Sequence, residues 1–348
     1  MKAVRLQAPG VIAVDEIDVP RPGKGEVLIR VLAAGVCRTD LHIRQDPNLT
    51  TPALTTLGHE IAGQIAELGD GAGAWKVADR VVVHPCWACH SCAACRAGRE
   101  NACQGTGSRL VPPPTPGVSV NGGMAQYVLA PATSLIAIGD LDPAFAAVLA
   151  DAGLAPYHSV RLLRDRLVPG TSAVVIGLGG LGQFAVQLLR ILTPARIIGL
   201  DVSDAALDAV RPFADAVIRA DAPDVRDAVL AETGRGGADA VIDLVGTNES
   251  LRLAARLVAP YGAIQAIGLS AGSLPFEAHV VSEVGLPWGV CLMKPYSGSY
   301  RDLAEVIALA QAGRLSASIQ RFGLDDAASA FDLLEAGKVN GRAVLIPE

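Results

Sequence analysis

Aromatic residues occupy only 4% of the 348 positions and methionine occurs three times. That scarcity excludes a core built on stacked rings or pliable thioethers, and leaves Ala, Val, Leu and Ile to fill the interior of a chain that is 51% hydrophobic. No run of Lys or Arg forms the basic stripe that a phosphate backbone needs, and the formal net charge is -6, so nucleic acid is not an expected partner. No apolar run of membrane-spanning length escapes polar interruption, so no membrane partner is expected either. The opening MKAVRLQAPG reads as a short strand and turn, not a targeting leader, and the expected location is the cytoplasm.

What is present is glycine, 37 residues of it, and a change of pattern along the chain. The length exceeds what one hydrophobic core usually serves, so two domains are expected. Up to about residue 152 the sequence offers short β runs, such as VLIRVLAA (27–34) and RVVVH (80–84), broken by Gly and Pro turns. From residue 153 strands alternate with apolar helical segments: AVVIG, RIIGL, AVI, AVIDLV and AIQAIG, with a sixth strand expected near 286–291. Continuous apolar strands between amphipathic helices predict an α/β, doubly wound Rossmann domain over 153–290, with a six-stranded parallel sheet covered on both faces. The remainder, 291–348, leaves that alternation and is expected to return to the first domain. Residues 104–123, with four prolines in five positions, predict an exposed loop.

Five of the seven cysteines fall between Cys86 and Cys103. Cys89, Cys92, Cys95 and Cys103 have the spacing C-x2-C-x2-C-x7-C, which lets one loop present four thiolates to a tetrahedral Zn2+. Four thiolates leave no open coordination position, so this zinc would be structural. Free thiols or an iron–sulfur site are the alternatives, and the spacing fits ferredoxin-type runs poorly. Cys86 could start a competing run, but its fourth position falls on Glu100. Cys86 is therefore expected to be a free thiol.

A second motif, AVVIGLGGLG, sets Gly177, Gly179 and Gly182 as G-x-G-x-x-G after a strand and at the start of a helix. There, with Gly180 and Leu181 in the same turn, the backbone can approach a pyrophosphate at the positive helix end. Asp201 closes the next strand in RIIGLD and suits the adenine ribose hydroxyls, while repelling an added phosphate. NAD is the predicted cofactor. No Arg follows Asp201 closely, and Arg219 is expected to lie too far away to receive a 2′-phosphate.

Cys37 in GVCRTDLH, His59 in LGHEIAG and Asp151 in LADAGLAPY are separately weak metal candidates. GHEIAGQIAELGDGA, however, fits G-H-E-x2-G-x5-G-x2-A, and with the four-cysteine loop and GLGGLG it resembles the zinc-containing medium-chain alcohol dehydrogenase family along essentially the whole chain. The pattern is nearest the bacterial secondary-alcohol-type members, whose catalytic zinc takes Cys, His and Asp. The resemblance implies a GroES-like catalytic domain over 1–152 with both zinc sites, a catalytic zinc on Cys37, His59 and Asp151, and an open fourth position for water or substrate oxygen. It further implies that Thr39 passes the alcohol proton through the nicotinamide ribose to His42, that Asp40 orients His59, and that Glu60 lies behind the metal. Arg38 and Arg342 would contact the cofactor phosphates. Thr39, Trp87 and the loop 104–120 are candidates for the substrate wall.

The expected activity is reversible hydride transfer between NAD(H) and a small or medium alcohol and its carbonyl partner, in a homodimer or homotetramer. A polyol or amino-alcohol dehydrogenase of the same family is the first alternative. An inactive NAD-binding regulatory protein is the alternative of another class, since fold alone does not establish activity.

Overall fold

The structure, a computed structural model, describes residues 1–45, 51–234, 236–275 and 285–348. The first strands are β1 (Lys2–Ala8), β2 (Val11–Glu16), β3 (Glu26–Val36), β4 (Glu60–Leu68), β5 (Arg80–Val83), β6 (Tyr127–Pro131) and β7 (Leu135–Ala137). Then follow β8 (Ser172–Ile176), β9 (Arg196–Asp201), β10 (Ala216–Arg219), β11 (Ala238–Asp243), β12 (Val258–Ala266) and β13 (Cys291–Met293). The chain closes with β14 (Ile319–Gly323) and β15 (Arg342–Ile346). It divides into two compact units, one made of Met1–Leu154 with Ser297–Glu348, the other of Ala155–Tyr296.

In the first unit seven strands form one sheet in the order β14-β15-β3-β4-β5-β7, with β6 also pairing β3. The long strand β3 holds it together, pairing antiparallel with β4, β6 and β15. Its burial suits that role, since eight of its residues are buried, and Val27, Ile29, Val31 and Val36 enter a core with Ile61, Ile65, Val81 and Phe331. β-Branched residues favour such a pleated, enclosed surface. The last fifty residues thus complete this sheet through β14 and β15.

Residues 104–123 behave differently from a simple exposed loop. Leu110 and Val111 are exposed, but Thr115, Pro116, Gly117, Gly122 and Gly123 are buried. The cause is hydrogen bonding to the strand-like segment before β4: Gly122 N–H donates to Thr56 O at 2.8 Å and Gly123 N–H to Gly58 O at 2.9 Å.

The second unit has a six-stranded, all-parallel sheet in the order β10-β9-β8-β11-β12-β13. β8 is buried along its full length, as a central strand covered on both faces must be. The order reverses between β8 and β11, which opens a crevice at the carboxyl ends of the strands. The sixth strand is Cys291–Met293; residues 288 and 289, inside the span where a strand was expected, form a turn with Gly289 at φ 74°. Among the described residues no helix is long and apolar enough to cross a membrane.

Candidate functional site: two clusters of metal-binding side chains and a dinucleotide crevice

Three pieces of the first unit converge on one buried pocket. Cys37 directly follows β3, and the helix Arg38–Gln45 starts immediately after it. His59 precedes β4 on a turn at Gly58, whose φ of 95° and contact with Met124 exclude a side chain. Asp151 comes from the π-helical turn Leu149–Gly153, inserted between the helices Pro143–Val148 and Leu154–Leu163. Such widened turns are frequent at functional sites because they redirect a side chain. Here the turn carries Asp151 Oδ2 to 3.3 Å from Cys37 Sγ and 3.6 Å from His59 Nε2.

These spacings suit a shared metal. Tetrahedral Zn2+ with bonds of about 2.0–2.3 Å sets its ligand atoms about 3.4–3.6 Å apart. Ligand atoms of Cys37, His59, Glu60 and Asp151 all lie within 4.8 Å of one another. The pocket also leaves polar atoms unsatisfied, for the carboxylate oxygens Asp40 Oδ1 and Glu60 Oε2 and the ring nitrogen His59 Nδ1 are buried without hydrogen-bond partners. Burial would push the charge off His59, yet Asp40, Asp151 and Cys37 outweigh it and hold its pKa well above the ordinary value. The donor set is thus rich in negative charge and short of a cation, and it fits a divalent metal.

The surrounding side chains have definite places. Asp40 Oδ2 accepts from Cys37 N–H at 2.8 Å, and its other oxygen faces His59 Nδ1 at 3.5 Å. Thr39 is half-buried with its hydroxyl 3.8 Å from Cys37 Sγ; His42 lies one turn on in the same helix, partly buried. Glu60 is fully buried, and its Oε1 accepts from Arg342 Nη2 of β15 at 2.5 Å. Burial raises the Glu60 carboxyl to about 7 although Arg342 draws it down. A Cβ on Gly35 would overlap the Glu60 carboxylate, which explains glycine near the end of β3.

The second cluster is made of sulfur alone. Cys89, Cys92, Cys95 and Cys103 are free of disulfides, and their Sγ atoms stand 3.4 Å (Cys103–Cys89), 3.5 Å (Cys92–Cys95), 3.9 Å (Cys89–Cys95) and 3.9 Å (Cys92–Cys103) apart. Zn–S bonds of about 2.3 Å give tetrahedron edges near 3.8 Å. Burial disfavours charge on Cys103, but the Cys89 N–H and the Thr106 hydroxyl bring its thiol down to about 5. Hydrogen bonds from the Cys95 and Gln104 backbone lower Cys92 to about 7, whereas burial and its sulfur neighbours push Cys95 to about 12. Four thiolates cannot share this space unaided; a divalent ion replacing the protons resolves the conflict. Cys86 stays outside the cluster as a buried thiol raised to about 12 by desolvation.

In the second unit β8 leads into the turn at Gly177, where φ is 88°, and the helix Gly182–Leu192 follows. The three motif glycines have separable roles. A Cβ on Gly182 would run into Gly177 O, and one on Gly177 into Val245, so the fold itself requires both. Nothing lies within 4 Å of a Cβ on Gly179, so the space beside it is open to a ligand. Asp201 Oδ2 accepts from Leu178 N–H at 2.6 Å and Oδ1 from Ser203 N–H at 2.8 Å, tying the end of β9 to the glycine turn. Beside them is a cavity of about 630 Å³ lined by Gly177, Asp201, Val202, Asp221, Val245 and Arg252, among others.

Residues 23–140 match the family described as alcohol dehydrogenase GroES-like domain, and residues 214–345 match zinc-binding dehydrogenase. A protein of Sulfurisphaera tokodaii named NAD-dependent alcohol dehydrogenase is 34% identical, with the whole of both chains covered. The chain belongs to the zinc-containing medium-chain alcohol dehydrogenase family. A solved alcohol dehydrogenase of the archaeon Aeropyrum pernix has a TM-score of 0.90 and 33% identity over all of both chains. A third member, from Saccharolobus solfataricus and named D-arabinose 1-dehydrogenase (NADP(+)), is 33% identical over 97% of this chain and 94% of its own.

Within this alcohol dehydrogenase framework the structure draws Cys37, Thr39, Asp40, His59, Glu60 and Asp151 together and adds Arg342 to them. Arg342 is buried, with its guanidinium against Glu60 and its Nε unpartnered; Arg38 is exposed at the start of its helix. The Glu60–Arg342 pair spans almost the whole sequence, and no local pattern announces it. Arg219 corrects an expectation about distance, because it is the direct partner of Asp201 across the β9–β10 ladder. The strands follow one another in the parallel series, so a separation of eighteen positions in sequence becomes one strand spacing, about 4.8 Å.

Proposed function

We propose that this chain is an NAD-dependent alcohol dehydrogenase, with one zinc on Cys37, His59 and Asp151 and a second on Cys89, Cys92, Cys95 and Cys103. The observation that carries the reading is the convergence of a thiol, an imidazole and a carboxylate from three distant segments, separate from a complete four-sulfur cluster. Three protein ligands with Glu60 at hand suit a catalytic metal, whereas four sulfurs suit a structural one. When bound at the first site, zinc supplies Lewis-acid stabilisation of negative charge on the reacting oxygen.

The chain's own residues perform the rest. Thr39 takes the alcohol proton and His42, one helical turn further, delivers it toward solvent; a hydroxyl and an imidazole suit those two positions at neutral pH. Asp40 orients His59, and Arg342 holds Glu60 behind the pocket. Gly177, Gly179, Gly180, Leu181 and Gly182 form the pyrophosphate turn at the start of a helix. Asp201 receives the adenine ribose. Arg38 and Arg342 supply positive charge for the phosphates.

Substrates are small or medium alcohols and their aldehydes or ketones. A sugar or polyol is the second reading, favoured by the D-arabinose dehydrogenase relative. The protein works in the cytoplasm, where seven unpaired cysteines are sustained. It assembles as a homodimer or homotetramer through the second unit, whose edge strand β13 exposes Leu292 near the exposed Tyr261 and Trp288. The test combines zinc analysis with NAD reduction across primary, secondary, aryl and polyhydroxy alcohols, in the wild type and Asp151→Ala. The variant should keep one zinc and lose turnover. A two-zinc wild type without NAD-linked turnover on the panel would refute the reading.

A further inference from the structure

The ribose end of the cavity in the second unit carries a cation that the cofactor reading does not use. Arg219 ends β10 directly opposite Asp201 at the end of β9. Its guanidinium is gripped on two sides. Nε and Nη2 donate to the two oxygens of Asp221 at 2.9 and 2.8 Å, a bidentate fork, and Nη1 donates to Asp204 Oδ1 at 2.7 Å. Asp221 itself lines the cavity beside Asp201 and Val202, so the guanidinium lies one hydrogen bond behind the cavity wall. Asp204 is in the first turn of the helix Asp204–Val210, which starts just after Asp201. Most of the five donors of this arginine are thus committed to carboxylates.

A guanidinium next to the ribose-binding carboxylate is the group that would recognise a phosphate on the 2′-hydroxyl, by the same bidentate geometry now spent on Asp221. We infer that Asp204 and Asp221 are specificity-determining residues that sequester Arg219, and so reserve this cavity for a dinucleotide with an unphosphorylated ribose. The inference rests on the NAD reading and deepens it. Asp201 repels an added phosphate, and the clamp withholds the one neighbour on the adjacent strand able to bind it. Two carboxylates, Asp201 and Asp221, then line the ribose end, with Arg219 held between Asp221 and Asp204. Released, Arg219 would supply a phosphate site without any new residue. Arg252 and Arg256, which line the cavity from the helix Asn248–Leu257, are the competing cations.

The test measures dissociation constants of the full-length, zinc-loaded protein for NADH, NADPH and 2′,5′-ADP by fluorescence and calorimetry. The clamp is solvent-exposed, so the double variant Asp204→Ala/Asp221→Ala should bind NADPH and 2′,5′-ADP about 3- to 30-fold more tightly than the wild type, the most that two exposed ion pairs can hold back. Adding Arg219→Ala should abolish that gain. Asp204→Asn/Asp221→Asn, which keeps the shape of the clamp, should give a smaller gain of the same sign and guards against misfolding of the alanine pair. No gain in either double variant overturns the inference. So does a gain that survives Arg219→Ala, which would assign the effect to relieved repulsion or to Arg252 and Arg256. A wild type that binds NADH but not NADPH upholds the cofactor reading whatever the variants do; one that binds neither defeats that reading itself.

Discussion

Cys95→Ser tests the four-sulfur cluster most directly. Between Cys89 and Cys103 the chain has only a four-residue helix, Ala93–Arg96, and a short 3-10 turn, Glu100–Ala102, and it buries little besides Cys95 and Cys103. Its tie to the rest of the unit includes the hydrogen bond from Tyr300 N–H to Glu100 Oε2 at 3.3 Å. With so little apolar burial, the segment depends on the cross-link made by its sulfurs. Closing a loop of about 15 residues is worth about 3 kcal/mol in the chain-entropy picture, and a serine at position 95 removes one of the four sulfurs of the cluster. The zinc content should fall from two per chain to one, and the stability to urea should fall by about 3 kcal/mol. Arg96 and Arg99 are exposed inside the segment, so trypsin should cut there in the variant and spare the wild type. Two tightly bound zinc ions, or a loss below about 0.5 kcal/mol, the range of an ordinary surface substitution, would refute the reasoning.

Asp40→Asn should weaken zinc at the Cys37 site by about 10- to 100-fold, because it removes the carboxylate facing His59 Nδ1; competition with a chelator measures it, and unchanged affinity would deny Asp40 its orienting part. Gly179→Ala should leave thermal stability unaltered and weaken NADH, whereas Gly182→Ala should cost about 1–3 kcal/mol of stability through overlap with Gly177 O; equal effects on folding would contradict that division. His84 supplies a pH dependence. Burial lowers its pKa although the carbonyls of Gly298 and Cys86 oppose that. The unfolded chain therefore binds the proton more readily, so the stability linked to this group is complete above the unfolded pKa of about 6.5 and is lost as pH falls below it. Urea midpoints measured from pH 7.5 to 5 should fall less steeply in His84→Gln than in the wild type, and parallel curves would exclude the contribution.

Much of this molecule is written locally. The alternation of AVVIG, RIIGL and AVIDLV with apolar helices already specifies a parallel sheet, because the period of side-chain burial and the glycine turn are properties of short segments. The C-x2-C-x2-C-x7-C spacing likewise contains its own geometry, since one loop brings all four sulfurs together. The sixth strand was legible in existence and misplaced in position: the apolar run before it bends at Gly289. Residues 104–123 misled because their Gly and Pro content says turn without saying what the turn packs on. Here Gly58 and Thr56 bind its backbone.

Other features have no local cause. Cys37, His59 and Asp151 come within reach of one shared metal ion only when β3, the turn at Gly58 and a π-helical insertion meet. Their candidacy in the sequence came from family resemblance, not from spacing. Glu60 and Arg342 pair across 282 positions because β15 returns to lie beside β3, itself the neighbour of β4. Arg219 reaches Asp201 only through the register of two parallel strands. The sequence by itself determined which segments are strands, which glycines must turn, and which loop can wrap a structural zinc, since each depends on neighbours a few residues away. Tertiary structure alone decided which distant carboxylates and cations share a pocket, because strand order and register are set by burial of the whole sheet.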